Sequence, residues 1–171
     1  VQGQVIAEDV NSDGDLELCA VDFKSNLVCF DAKGKVIWER QLSGFSAQAP
    51  AVGDIDGDGN LELVIGTSTG HIWAVSGKDG KVVPNFPILT NGAIYSPALI
   101  AELNVTISQP GIFDSLLQRG LVKASRALSV VVPSFDGHVY IVDGATGCVD
   151  KIDIGEKSYS QVLIDNLAGN D

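Results

Sequence analysis

Basic residues are scarce in this chain: 11 Lys and Arg stand against 22 Asp and Glu, a formal net charge of −11. Nucleic-acid binding is excluded on that balance, since phosphate contacts need clustered cations and these 11 are spread along the whole length. Long apolar runs are missing as well. None approaches the roughly 18 residues of a membrane-spanning helix, so this segment is expected to make no membrane contact of its own. No signal-peptide pattern precedes the first strand-like stretch. The chain opens mid-pattern at Val1-Gln2-Gly3 and stops within a loop-like run, and is read as an excerpt of a longer protein. Three cysteines are too few for a disulfide scaffold. Catalytic signatures are also lacking: there is no Gly-x-Ser-x-Gly, no His-Glu-x-x-His and no Walker loop. A non-enzyme is expected.

What remains is ordinary globular material with one unusual ingredient. At 171 residues, 45% hydrophobic and 19% charged, the chain is long enough for one core and too apolar for disorder. The ingredient is Gly53-Asp54-Ile55-Asp56-Gly57-Asp58-Gly59-Asn60-Leu61-Glu62. Side chains at loop positions one, three, five and nine (Asp54, Asp56, Asp58 and Glu62) converge on one point, with the carbonyl of Asn60 at position seven. Carboxylates held that close repel unless a cation lies among them, and an all-oxygen flexible set suits Ca²⁺. The alternative is an Asx-rich turn capped by its own side chains.

The run is repeated. Asp9-Val10-Asn11-Ser12-Asp13-Gly14-Asp15-Leu16-Glu17-Leu18 lies 45 positions earlier, with Asp9, Asn11, Asp13, Asp15 and Glu17 at the five ligand places. Two matched copies favour two Ca²⁺ sites over two coincidental turns. In an EF-hand the closing acid stands at position twelve; here that position is Ala20 or Ile65, and a strand pattern follows instead of a helix. Asp15 and Asn60 are expected to contribute backbone oxygen only.

The repeat extends beyond the loops, which sets the fold. Leu18-Cys19-Ala20-Val21 corresponds to Leu63-Val64-Ile65-Gly66, and Leu27-Val28-Cys29-Phe30 to Ile72-Trp73-Ala74-Val75. A third copy, from Ser129 to Gly144, repeats Glu62 to Gly77 at an offset of 67, whereas its leading segment from Ser96 follows Ala49 at an offset of 47. The difference of 20 is an insertion within about 104–127, where the acidic loop should be. Four short β-rich segments per period of about 45, separated by Gly, Asn, Asp and Ser turns, are the signature of a β-propeller blade. In the second unit they are expected near 49–55, 61–67, 71–76 and 81–88. The predicted fold is therefore all-β, about three four-stranded antiparallel blades. The units are 1–44 and 45–89, each with a calcium loop, 90–155 with the insertion and no calcium loop, and 156–171 as the start of a further blade. Propellers close with typically four to eight blades, so the segment is expected to pack against missing blades of a larger propeller.

Several smaller expectations follow. Pro110 to Gly120 places Ile112, Phe113, Leu116 and Leu117 on one face of a short amphipathic helix. Arg119, Lys123 and Arg126 make this the one basic stretch, read as a surface elaboration before a partner site. Cys19 and Cys29 fall opposite each other across a turn; direct cross-strand bridges are geometrically demanding, so two buried thiols are expected. His71 and His138 recur at a strand start, and Trp38 and Trp73 suit blade packing. The one sequon, Asn104-Val105-Thr106, points to a secretory route, although so short a pattern also arises by chance.

Val52-Gly53-Asp54-Ile55-Asp56-Gly57-Asp58-Gly59-Asn60-Leu61-Glu62-Leu63-Val64-Ile65-Gly66 resembles the FG-GAP repeat of integrin α-subunit propellers, a calcium loop between two blade strands. Leu27 to Glu39 is similar to quinoprotein-type blades. Leu16 to Asp31, Ser134-Phe135-Asp136-Gly137 and Asp153 to Ser160 resemble the plant defective-in-exine-formation family. That resemblance implies a membrane-anchored, integrin-like calcium binder linked to pollen-wall patterning, facing the extracellular side or a secretory lumen. Its ligand would be a protein or a polysaccharide. A carbohydrate-binding or polysaccharide-processing propeller is the second reading.

Overall fold

The computed structural model describes residues 4–22, 24–103 and 127–163. Twelve strands lie among them, in three antiparallel sheets of four. The first holds β1 (Ile6–Glu8), β2 (Glu17–Val21), β3 (Asn26–Phe30) and β4 (Val36–Gln41). The second holds β5 (Ala51–Gly53), β6 (Glu62–Gly66), β7 (His71–Ser76) and β8 (Ile88–Leu89). The third holds β9 (Leu99–Ala101), β10 (Ser129–Pro133), β11 (His138–Asp143) and β12 (Val149–Asp153). In each sheet neighbours in sequence are neighbours in space, the up-and-down order of a propeller blade.

Burial shows how the sheets stack. Alternate residues of a strand point to opposite faces. On β6, Leu63 and Ile65 join a core with Val10, Cys19, Leu27 and Trp38 of the first sheet, while Val64 joins one with Val130, Val132 and Val142 of the third. All five residues of β6 are consequently buried, because the middle sheet is covered on both faces. The outer sheets are covered on one face only. Leu18, the counterpart of the fully buried Leu63, is 43% exposed, and Ile152 on β12 is 54% exposed.

Four details depart from expectation or lie outside it. The fourth strand of the second sheet is not 81–88: only Ile88–Leu89 pairs with β7, preceded by an isolated bridge between Val75 and Val82. Pro84 and Pro87 supply no N–H and cannot hold a continuous ladder. Cys19 and Cys29 are not two thiols but a disulfide; they are register partners on β2 and β3 with Cα atoms 4.1 Å apart. That spacing is close to the separation of a non-hydrogen-bonded antiparallel pair, the geometry that a direct cross-strand bridge needs. The expected helix over 110–120 lies outside the described residues. Residues 158–163, where a further unit was expected to start, carry no strand.

Candidate metal centre

Each acidic loop joins the first strand of its sheet to the second, residues 9–16 between β1 and β2 and residues 54–61 between β5 and β6. Asp54 organises its loop. Its Oδ1 accepts the Gly57 N–H at 2.8 Å and its Oδ2 the Gly59 N–H at 3.0 Å. Asp9 does the same for the N–H groups of Asp13, at 3.0 Å, and Gly14, at 2.9 Å. Inside that curl Asp56 accepts the Asp58 N–H at 3.0 Å and Asp58 the Asn60 N–H at 2.7 Å. Gly59 and Gly14 sit at φ +92° and +93°, with nothing within 4 Å of where a Cβ would be. Glycine is required there by backbone handedness and not by space.

The curl turns carboxylates inward, and the two loops differ in the result. In the second loop Asp54, Asp56 and Asp58 each offer an oxygen within 4.8 Å of the others, the one such group of three among the described residues. Each ionised pair at that separation costs between about 1 kcal/mol in bulk water and about 3 kcal/mol at an effective dielectric near 20. Burial, then the Asp58 and Asp54 charges, hold the Asp56 carboxyl above its ordinary range. In the first loop Asn11 stands where Asp56 does, and its amide donates to Asp13 Oδ2 at 3.0 Å, so a neutral hydrogen bond replaces one repulsion. Asp9 and Asp13 form no comparable group of three with another acid among the described residues.

Glu62 lies outside the group of three but lines the same cleft as Asp56 and Asp58, and Glu17 holds the corresponding place beside Asp13. Both are buried, Glu17 1% and Glu62 2% exposed, and each spends one oxygen on the backbone at loop position two: Glu62 Oε2 accepts the Ile55 N–H at 2.9 Å, and Glu17 Oε2 the Val10 N–H at 3.1 Å. Burial, and then the charges of Asp56, Asp58 and Asp54, push the Glu62 carboxyl up to about 7. Burial foremost, with the charges of Asp13 and Asp9 behind it, raises Glu17. Each glutamate thus latches the loop shut from beneath.

The support beneath comes from the next sheet. Val10 and Ile55, at loop position two, drop into the inter-sheet cores. Gly77 meets Val10 so closely that an added Cβ would lie 2.4 Å from its carbonyl oxygen, and Gly144 meets Ile55 with a corresponding 2.1 Å. Gly77 also donates to the Leu61 carbonyl at 2.8 Å, and its own carbonyl accepts the Trp38 Nε1–H at 2.7 Å. Repeat alignment pairs Gly77 with Gly144, yet spacing alone does not say that each braces the preceding loop.

A cleft of about 250 Å³ opens beside the second loop, with Asp56, Asp58 and Glu62 on one wall and Asp79 and Lys81 on the other. One of about 290 Å³ stands beside the first, between Asn11, Asp13 and Glu17 and the turn carrying Asp31 and Lys33. The donor set is oxygen throughout, and the clustered aspartates of the second loop fit a hard divalent cation. His71 and His138 lie at the other end of their sheets and serve their own turns. His71 Nδ1 is 3.1 Å from Thr69 Oγ1, and His138 Nδ1 3.4 Å from Asp136 Oδ2.

No curated protein is significantly similar to the chain. Among solved structures, BamB from Moraxella catarrhalis covers 89% of the chain at 17% identity and TM-score 0.54. BBS1N, solved in complex with ARL6DN, covers 91% at 15% identity and TM-score 0.59 in a lead-soaked crystal. A mercury-soaked crystal of the same complex gives 13% identity and TM-score 0.59. At such identities the likeness concerns the fold alone. The chain spans 36% to 41% of the length of these neighbours. The family model of the λ-carrageenase β-propeller domain matches residues 17–106, just over half of the chain, and takes in most of the first sheet, all of the second sheet and its acidic loop. This chain therefore belongs to the λ-carrageenase β-propeller domain family.

Proposed function

We propose that the chain is a calcium-binding, non-enzymatic segment of a larger β-propeller in an extracytoplasmic adhesion or wall-assembly protein. The observation that carries the reading is the inward convergence of Asp54, Asp56 and Asp58 on a loop whose backbone is already curled by Asp54 and Gly59. Asp54, Asp56 and Asp58, with the Asn60 carbonyl and Glu62, would hold one Ca²⁺; Asp9, Asn11 and Asp13, with the Asp15 carbonyl and Glu17, would hold the other. When bound, the ion supplies charge neutralisation and a rigid loop. The resemblances to FG-GAP repeats and to the plant exine-forming family read from the sequence support the adhesion or wall-assembly assignment, and the Cys19–Cys29 disulfide supports an oxidising, secretory-route compartment. The open outer faces marked by Leu18 and Ile152 support packing against further blades.

Thermal melting with and without Ca²⁺ tests this directly, since an ion that binds only the folded state raises the melting temperature. A chelator-treated sample that gains no stability on Ca²⁺ addition contradicts the proposal. A second reading, a carbohydrate-binding or polysaccharide-processing propeller, draws on membership in a family named for a carrageenase. Polysaccharide cleavage in a depolymerisation assay favours it over the first.

A further inference from the structure

The turns that lead into β7 and β11 end on a histidine at the same place of the repeat, His71 and His138. Their surroundings differ. In the first turn Thr67 Oγ1 is 3.2 Å from Thr69 Oγ1, which in turn is 3.1 Å from His71 Nδ1, so neutral hydrogen bonds close it. In the second, Ser134 and Asp136 stand where the two threonines do, and a carboxylate meets the imidazole. That turn is not closed in the same way. His138 Nδ1 and Ser134 Oγ are both buried, and neither has a hydrogen-bond partner among the described residues. Ser134 has no exposed surface at all. Buried polar atoms are nearly always paired in folded proteins, so two orphans beside one carboxylate point to a species that all three contact.

The carboxylate is held in place from two sides. Asp136 Oδ1 accepts the His138 N–H at 3.2 Å and Oδ2 the Tyr140 hydroxyl at 2.6 Å, while the Tyr140 oxygen accepts the Asn91 N–H at 3.1 Å. Outer hydrogen bonds of this kind orient carboxylates that ligate metals. Against the burial that would raise it, the Tyr140 hydroxyl, the nearby Ser134 hydroxyl and the His138 N–H hold the Asp136 carboxyl below its ordinary range, so it is ionised at neutral pH. Gly92 closes the turn on one side: an added Cβ there would lie 2.5 Å from the Asp136 nitrogen and 3.0 Å from Ser134 Oγ. His138 Nδ1 lies 3.4 Å from Asp136 Oδ2. A charge-assisted hydrogen bond is shorter, about 2.7–2.9 Å. Two ligands each about 2.1 Å from a tetrahedral zinc ion, by contrast, stand about 3.4 Å apart. An imidazole nitrogen with carboxylate and hydroxyl oxygens also suits Zn²⁺ better than Ca²⁺, which takes oxygen alone.

We propose that Asp136 Oδ2, His138 Nδ1 and Ser134 Oγ form a site for Zn²⁺ in the turn between β10 and β11, separate from the acidic loops. The imidazole would bind as the neutral ring, with its proton on the other nitrogen. Calorimetric titration of the chelator-treated chain with Zn²⁺ tests it, in excess Ca²⁺ and in a Cys148→Ser background that removes the exposed thiol. One equivalent of Zn²⁺ is expected, weakened more than about tenfold in His138→Ala and in Asp136→Asn. Asparagine keeps the side-chain shape and an acceptor for the Tyr140 hydroxyl, and an unchanged metal-free melting temperature shows that each variant folds. His71→Ala should keep full affinity, because His71 meets a threonine hydroxyl instead of a carboxylate. In the unmutated chain, nuclear magnetic resonance should show the His138 ring nitrogens shifting on Zn²⁺ addition while those of His71 stay in place, a readout that needs no variant. Retention of the site when Asp13→Ala and Asp56→Ala are combined separates this inference from the calcium reading. Absence of Zn²⁺ uptake overturns the proposal and leaves the two orphaned atoms to a water molecule. So does uptake that His138→Ala and Asp136→Asn leave intact, or that His71→Ala removes equally.

Discussion

Raising the pH should destabilise the calcium-free protein through Glu62. Its carboxyl is pushed from 4.5 up to about 7, first by burial and then by Asp56, Asp58 and Asp54. A raised acid binds its proton more tightly in the folded state than in the unfolded one. Stability is therefore fully present below pH 4.5 and is lost as the pH rises through about 7, the reverse of the usual salt-bridged carboxylate. At about 1.4 kcal/mol per pH unit the ceiling is about 3 kcal/mol, and solvent reaching the loop rim reduces the expected loss to about 1–3 kcal/mol. Glu17 and Asp56, also raised, act in the same direction. Asp22 and Asp79, lowered by hydrogen bonds from Asn26 and Lys81, contribute stability above pH 3.8 that is lost only at more acid pH, outside this window. The assay is melting in chelator from pH 5 to 8, with Glu62→Gln as comparison. Glutamine keeps an acceptor for the Ile55 N–H and does not titrate, and His71 and His138 are common to both proteins. The wild type should lose several degrees relative to the variant, at about 2–4 °C per kcal/mol for this size. Parallel profiles of the two proteins would refute the assignment of a buried, charge-stressed Glu62.

Two further outcomes follow from packing. Gly144→Ala sets a Cβ against the Ile55 backbone, 2.1 Å from its oxygen, and should cost about 1–3 kcal/mol, read as a lower urea midpoint; an unchanged midpoint contradicts the brace between the third sheet and the second loop. Replacing both Cys19 and Cys29 by alanine opens a bridge of sequence separation 10 and should cost about 2–3 kcal/mol. Free-thiol titration of the denatured, unreduced chain should find Cys148 alone, and three thiols would contradict the bridge.

The acidic loops and the blade repeat were legible because both are local and periodic: carboxylates at fixed spacing and strands recurring every 45 residues or so. Legibility failed where an outcome depends on what lies across a gap in sequence. Spacing placed Cys19 opposite Cys29, but only the register distance distinguishes a bridge from two thiols. Glu62 reads as a ligand from its position, whereas burial beneath Ile55 makes it a latch as well. Residues 81–88 read as a strand from their β-branched members, and the two prolines confine pairing to its ends. The two loops look equivalent until Asn11 is seen to hydrogen-bond Asp13 where Asp56 instead adds a third charge. Phe45, Tyr95, Phe135 and Tyr159 form a row of rings that is invisible in sequence, because they are single residues drawn from separate connections.

The central claim is that the curled aspartate loops are cation sites, and calorimetric titration of the chelator-treated chain with Ca²⁺ measures it most directly. The account predicts two equivalents in the wild type, with the loop of Asp54, Asp56 and Asp58 filling first. Asp56→Ala and Asp13→Ala should each remove about one equivalent, and Asp56→Ala should remove the tighter. No heat of binding in the wild type, or the same stoichiometry in both variants as in the wild type, would contradict it.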